Sequence, residues 1–156
     1  AKIDKFMSIQ GKESVDSIHK KLGHIMWEYV GMGRTAEGLK TGLAKLKDIR
    51  KEFETELFIP GAKEGMNIEL DKAFRLDDFI TMGQLIAYDA LNREESCGGH
   101  FREEHQTEEG EAKRDDENFF YVACWEYQGS DDKAPVLYKE PLVYEAIKVQ
   151  TRNYKS

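Results

Sequence analysis

Between Asp89 and Asn118 the chain reads DALNREESCGGHFREEHQTEEGEAKRDDEN, and this stretch gathers most of the residue types able to do chemistry. His100 and His105 stand among Glu103, Glu104, Glu108 and Glu109, a donor set that would suit a metal ion. Gly98-Gly99 before them and Gly110 after them predict a loop rather than a helix, and no third soft ligand stands at a fixed spacing. They read as structural or incidental histidines, and no metal site is expected. Cys97 with His100 would make a thiolate–imidazole pair. However, Cys97 lies just past a predicted helix C-terminus, whose partial negative charge disfavours a thiolate.

The paired carboxylates Asp77-Asp78 read as a solvated helix face. In Arg114-Asp115-Asp116 a planar guanidinium stands beside two carboxylates, which predicts a local network fixing the loop. Gly31-Met32-Gly33 lies between two helices and not after a strand, so it opens no βαβ dinucleotide unit. His19 and His24 read as ordinary, partly exposed helix residues. These residues alone assemble no active site: no catalytic, cofactor-binding or metal-ligating residue is expected within the chain.

The elements that position this stretch follow from hydrophobic periodicity. Val15, Ile18, Leu22, Ile25, Met26, Tyr29 and Val30 repeat at three and four, predicting a helix from about Lys12 to Met32. Ser14 or the Gly11-Lys12 turn would cap its start, and Gly31-Met32-Gly33 would close it with a left-handed glycine. Trp27 lies off the apolar stripe. Thr35 is the next N-cap, with Glu37 in the first turn, and Leu39, Leu43, Leu46, Ile49, Phe53 and Leu57 carry a second helix to about Leu57. Gly38 and Gly42, a turn apart on it, would let a neighbouring helix come close. Ile59-Pro60-Gly61 to Gly65 reads as a loop. A third helix, from Asn67 to about Glu95, has a wide apolar arc from Leu76 onward and is expected to be the most buried.

After the polar stretch, Phe119 to Tyr127 is apolar on both faces and predicts a strand covered on both sides, or covered by something outside these residues. A turn-rich link, Gln128 to Ala134, leads to Pro135–Lys139, which would pair back as a hairpin. The expected fold is mainly α: an antiparallel three-helix bundle (spectrin-repeat-like) at about 12–95, a polar loop at 96–118 and a small β-hairpin extension at 119–156, forming one domain over 1–156.

The bulk numbers narrow the function classes. A chain of 156 residues with a net charge of −7 and dispersed Lys and Arg does not present a nucleic-acid surface. Two cysteines, Cys97 and Cys124, match neither a disulfide framework nor a zinc spacing, which points to a reducing compartment. There is no apolar run of membrane-spanning length and no apolar signal-peptide core. The opening Ala, without Met, reads as a cut from a longer protein.

From Arg93 onward the chain resembles a known family, through Glu95-Ser96, Gly98, His100 and Arg102 and then Arg114-Asp115-Asp116-Glu117-Asn118-Phe119. It is similar to the C-terminal domain of the flavoprotein subunit of succinate dehydrogenase and fumarate reductase. Gly33-Arg34-Thr35-Ala36-Glu37-Gly38-Leu39 looks like that family's turn into its second helix, and Thr151-Arg152-Asn153-Tyr154 like its C-terminal end. The chain departs from the commoner pattern at Cys97, where many members have Arg, and at Gly99, usually Ala.

The resemblance implies a parent enzyme interconverting succinate and fumarate by hydride transfer to FAD. Electrons would pass to an iron–sulfur subunit and a quinone site in a membrane anchor. The flavin fold and the dicarboxylate-binding residues would lie upstream, so no FAD is expected within these residues. The implied location is cytoplasmic, peripheral on the inner membrane. Arg93, Ser96, His100, Arg102, Arg114, Asp115 and Asp116 are then expected to form a loop that docks on the flavin-binding domain. L-aspartate oxidase, which has a related C-terminal domain, is the nearest competing identity. A free-standing helical module binding a protein partner through Trp27, Trp125 and the aromatic strand is the alternative from another class.

Overall fold

The computed structural model describes residues 2–130 and 133–150. The fold is mainly α and divides into two compact units, 1–91 and 92–156.

The first unit contains α1 (Lys2–Ser8), β1 (Glu13–Ser14), α2 (Val15–Val30), α3 (Ala36–Glu56), β2 (Leu57–Phe58) and α4, which begins at Ile68 and ends at Asn92. Ser14 caps α2 by accepting from the Ser17 amide, and Thr35 caps α3 by accepting from the Gly38 amide. Asn67 does the same for α4 through its Oδ1, which accepts from the Leu70 amide at 3.0 Å. Each oxygen satisfies an amide that the first helical turn leaves open.

The apolar faces of the helices meet in one core. Ile18, Leu39, Leu46, Phe53, Leu76 and Ile80 are all buried in it. Tyr29 of α2 lies against Gly42 of α3, while Lys21 pairs with Glu52, so α2 and α3 run in opposite directions. Gly42 is needed there, because a Cβ on it would stand 2.8 Å from the Tyr29 Cβ. Asp16 pairs with Lys72, and Met26 meets Gly83, so α4 runs alongside α2 in the same direction. Arg50 of α3 clamps α4 by donating to the Asp77 carboxylate, the Asp77 carbonyl and the Thr81 hydroxyl.

Several details differ from the sequence reading. Helix α1 and the short parallel β1–β2 pair carry no clear periodic signal, since their apolar residues are few. Phe6 nevertheless joins the core, edge-on to Phe53 with ring centroids 5.3 Å apart. Gly11 makes room for the β1–β2 crossing, where a Cβ would clash with the Glu56 backbone at 1.9 Å. Gly31 ends α2 with φ −68° rather than in the left-handed region, because the Arg34 side chain caps that end by donating to the Val30 and Gly31 carbonyls. Helix α4 stops at Asn92, three residues before the expected end, because Arg93 and Glu95 are engaged elsewhere. Its apolar arc is not fully covered: Phe79, Met82 and Ile86 are exposed, as is Trp27 on α2.

The second unit, 92–156, has the short helix α5 (Asp116–Phe119) and an antiparallel hairpin of β3 (Tyr121–Glu126) and β4 (Val136–Pro141), in register from Tyr121↔Pro141 to Glu126↔Val136. β3 is not covered on both sides. Its residues alternate, with Tyr121, Ala123 and Trp125 half-buried and Val122, Cys124 and Glu126 exposed. Phe119 lies in α5 and not in the strand, because Asp115 caps a helical turn there. Asp131, Asp132 and the Thr151–Tyr154 motif lie outside the described residues. No helix among the described residues is long and apolar enough to cross a membrane.

Leu46 is fully buried whereas Trp27 is 84% exposed. Leu46→Ala is expected to lower unfolding stability by about 3 kcal/mol, the cost of lost burial plus a cavity, and Trp27→Ala by less than about 0.5 kcal/mol, measured by urea denaturation.

Burial alone would raise the Asp77 pKa, but Lys2 and Arg50 outweigh it and hold the carboxyl below its ordinary range. A depressed folded pKa stabilises above the unfolded value, roughly 3.9, and that contribution is lost as pH falls through the folded value. The stability gap between the protein and Asp77→Asn should therefore be constant from pH 7 to 5 and close below about pH 4, read from urea midpoints.

Candidate functional site

The polar stretch that begins at Arg93 folds around its own charged side chains. Cys97 and His100 exchange backbone hydrogen bonds at 2.8 and 3.0 Å, closing a two-residue turn over Gly98-Gly99. Gly98 takes φ +58° at the first central position, where glycine is the residue without a Cβ penalty. The chain then turns again at Arg102–His105 and at Thr107–Gly110. Lys113 returns to donate its amide to the His105 carbonyl.

Glu95 lies at the centre and is 3% exposed. Its Oε1 accepts from Arg93 Nη1 at 2.9 Å, and its Oε2 accepts from the Asp115 amide at 2.9 Å. Arg93 also donates to the Phe119 and Tyr121 carbonyls at 3.0 and 3.2 Å, so one guanidinium joins the loop to the hairpin. The Arg93 carbonyl meets Nε2 of His100 at 2.8 Å.

Ser96, fully buried, accepts from the Arg102 amide at 2.8 Å and donates to the Arg102 carbonyl at 3.1 Å. Its amide donates to the Lys113 carbonyl. Arg102 is itself buried, with Nε donating to Glu104 at 3.2 Å. At the exit, Asp115 caps α5 by accepting from the Asn118 amide and side chain, and Arg114 grips Asp116. The hydrogen bond that Arg114 donates to the Asp116 carboxylate raises the Arg114 pKa above its ordinary value.

Of the residues singled out from the sequence, Arg93 and Asp115 are joined through Glu95, His100 is held on the Arg93 carbonyl, and Ser96 is joined to Arg102. Arg114 and Asp116 form the separate local pair that the motif predicts. Glu95 is absent from the residues expected to form the docking loop; its signal is its place two residues after Arg93, within reach of the same guanidinium. His105 joins no metal-ligating cluster: among the described residues no three His, Cys, Asp or Glu side chains are placed to hold a metal ion. Cys97 is exposed, and one ring nitrogen of its neighbour His100 is committed to the backbone.

The family described as fumarate reductase flavoprotein C-term matches residues 19–154. This chain belongs to that family. Among curated relatives, the fumarate reductase flavoprotein subunit of Serratia sp. is 33% identical over 72% of this chain and 18% of its own length. The chloroplastic L-aspartate oxidase of Oryza sativa subsp. japonica is 35% identical over 59% of this chain and 14% of its own. Among solved structures, a quinol-fumarate reductase with menaquinol molecules superposes with a TM-score of 0.78 at 23% identity, over 94% of this chain and 24% of that one. The last establishes a shared fold. The chain spans less than a fifth of the length of the curated relatives it matches.

Removing Glu95 takes one acceptor from the half-buried Arg93 guanidinium and leaves the Asp115 amide without its acceptor. In a Trp27→Phe background, where Trp125 reports the second unit, Glu95→Ala should lower its urea-unfolding stability by about 3 kcal/mol. Ser96→Ala should lower it by about 1–2 kcal/mol, and the exposed Glu108→Ala by under about 0.5 kcal/mol.

Proposed function

We propose that this chain is the C-terminal domain of an FAD-dependent flavoprotein subunit that interconverts succinate and fumarate, and that the domain is non-catalytic by itself. The observation that carries this reading is the destination of its polar side chains. Arg93, Glu95, Ser96 and Asp115, the groups that would otherwise bind a substrate, are engaged with one another and with backbone atoms. The family match supports the parent enzyme.

On this reading the three long helices form an antiparallel bundle of the spectrin-repeat kind, and residues 1–156 act as one domain. FAD is held by a flavin-binding domain of the same chain. In support, the parallel pair of the described residues, β1–β2, is two residues per strand, and β1 passes into α2 at Ser14-Val15 with no glycine-rich turn for a pyrophosphate. Arg93, Ser96, His100, Arg102, Arg114, Asp115 and Asp116 shape the loop that seats the domain on that flavin domain. An iron–sulfur subunit and a membrane anchor complete the assembly, which sits peripherally on the cytoplasmic side of the inner membrane and passes electrons to a quinone.

The L-aspartate oxidase relative favours a second reading, that the parent oxidises aspartate. The intact flavoprotein carrying this domain separates the two. Fumarate-dependent oxidation of reduced viologen, with no turnover of aspartate and none by the 156-residue chain alone, is expected. Aspartate oxidation without fumarate reduction would replace the lead reading. Within that enzyme, His100→Ala should weaken association of separately expressed flavin and C-terminal domains, and unchanged association would refute docking through the loop.

A further inference from the structure

The second unit also carries a cleft of about 770 Å³ that is open to solvent, a size common for ligand sites. Some of the charged groups that line it take no part in the bonding of the polar loop. Three cations, Lys113, Arg114 and Lys139, face it with His105, against two carboxylates, Glu94 and Asp115. The lining groups divide by whether they are already engaged. Both Asp115 oxygens accept from Asn118, and Arg114 is paired with Asp116. The side chains of Glu94, His105 and Lys113 have no hydrogen-bond or ion-pair partner among the described residues. Lys139 has no acidic partner: its ammonium sits over the Tyr121 ring, 4.4 Å from the centroid.

Arg93 also lies over that ring, at 4.9 Å, so Tyr121 is occupied by cations and is not free to stack on a ligand. It acts instead as a seat that holds Lys139 at the cavity wall. Elsewhere on a chain of net charge −7, lysines such as Lys21 and Lys72 are paired with carboxylates. Lys113, without an acidic partner, and Lys139, held only by an aromatic face, therefore share one concave surface with the His105 imidazole.

We propose that this cavity binds a small ligand bearing two or more carboxylate or phosphate groups, held by Lys113 and Lys139, with His105 as a further hydrogen-bond partner. The two lysines come from different elements, the end of the loop and β4, so a ligand with more than one anionic group satisfies both. The volume exceeds what a single inorganic ion fills. Arg114 and Asp115 of the cavity wall also belong to the proposed docking loop, but binding to the 156-residue chain is read without the flavin domain, so its outcome is separate from the flavoprotein reading.

The test is titration of the purified protein, followed by calorimetry and amide chemical shifts, with citrate as the carboxylate probe and pyrophosphate as the phosphate probe. Saturable one-to-one binding of either is expected, with shifts at Lys113, Leu137 and Lys139, and the tighter probe identifies the anionic group. Lys113→Gln and Lys139→Gln should each weaken binding about threefold, and the double variant about tenfold. Glu94→Gln, which removes the opposing charge, should tighten it, and Lys47→Gln on α3 should change nothing. Circular dichroism of the double variant checks that it remains folded. No saturable binding of either probe, shifts that map away from the cavity, or a folded double variant that binds like the unaltered protein would overturn the proposal.

Discussion

A carboxylate with almost no access to water organises the second half of this chain. Every buried hydrophobic residue among those described lies between Phe6 and Ala90, whereas the buried residues beyond α4 are Glu95, Ser96 and Arg102. A segment without a greasy interior must be fixed by directional bonds, and Glu95 supplies the central pair. Withdrawing a charge from water is costly, and the cost is offset only when its oxygens and its partner's donors are satisfied. Here the guanidinium of Arg93 reaches the carboxylate and two carbonyls of the hairpin side, so a single side chain sets where the loop ends and where β3 begins.

The first unit follows the opposite physics. Its helices are held by non-directional burial along stripes at three and four, with polar groups reserved for caps and for the Arg50–Asp77–Thr81 clamp. Burial tolerates sequence change as long as volume is kept, while a network of buried bonds does not. That contrast suits two of the recognisable motifs, Glu95-Ser96 to Arg102 and Arg114 to Phe119, which fall in the polar unit where most of their side chains have specific partners.

The same contrast explains how much could be read from sequence. Val15 to Val30 and Leu39 to Phe53 show their helices directly, because periodicity is a local signal, and Ser14 and Thr35 mark the caps for the same reason. Helix α1 and the β1–β2 pair escaped because they are held by contacts far along the chain, Phe6 on Phe53 and Gly11 against Glu56. The reading of Phe119–Tyr127 as one strand failed at its first residues, where the Asp115 cap overrides β propensity. Glu95 was visible as part of a motif but not as its centre, since its second bond is to the Asp115 amide, 20 residues away. His105 reads from the sequence as a structural or incidental histidine, and Glu94, Lys113 and Lys139 form no sequence pattern; only the folded loop brings the four together.

The central claim is that buried polar bonds, not apolar packing, hold the second unit in one conformation. Native-state hydrogen exchange tests it most directly, at the Ser96, Arg102 and Asp115 amides. These donate to the Lys113 carbonyl, the Ser96 hydroxyl and the Glu95 carboxylate. Protection equal to that of the β3–β4 ladder amides, lost at all three together in Glu95→Ala, is the predicted result. Exchange at the rate of exposed loop amides in the unaltered protein, with the β3–β4 ladder still protected, would contradict it.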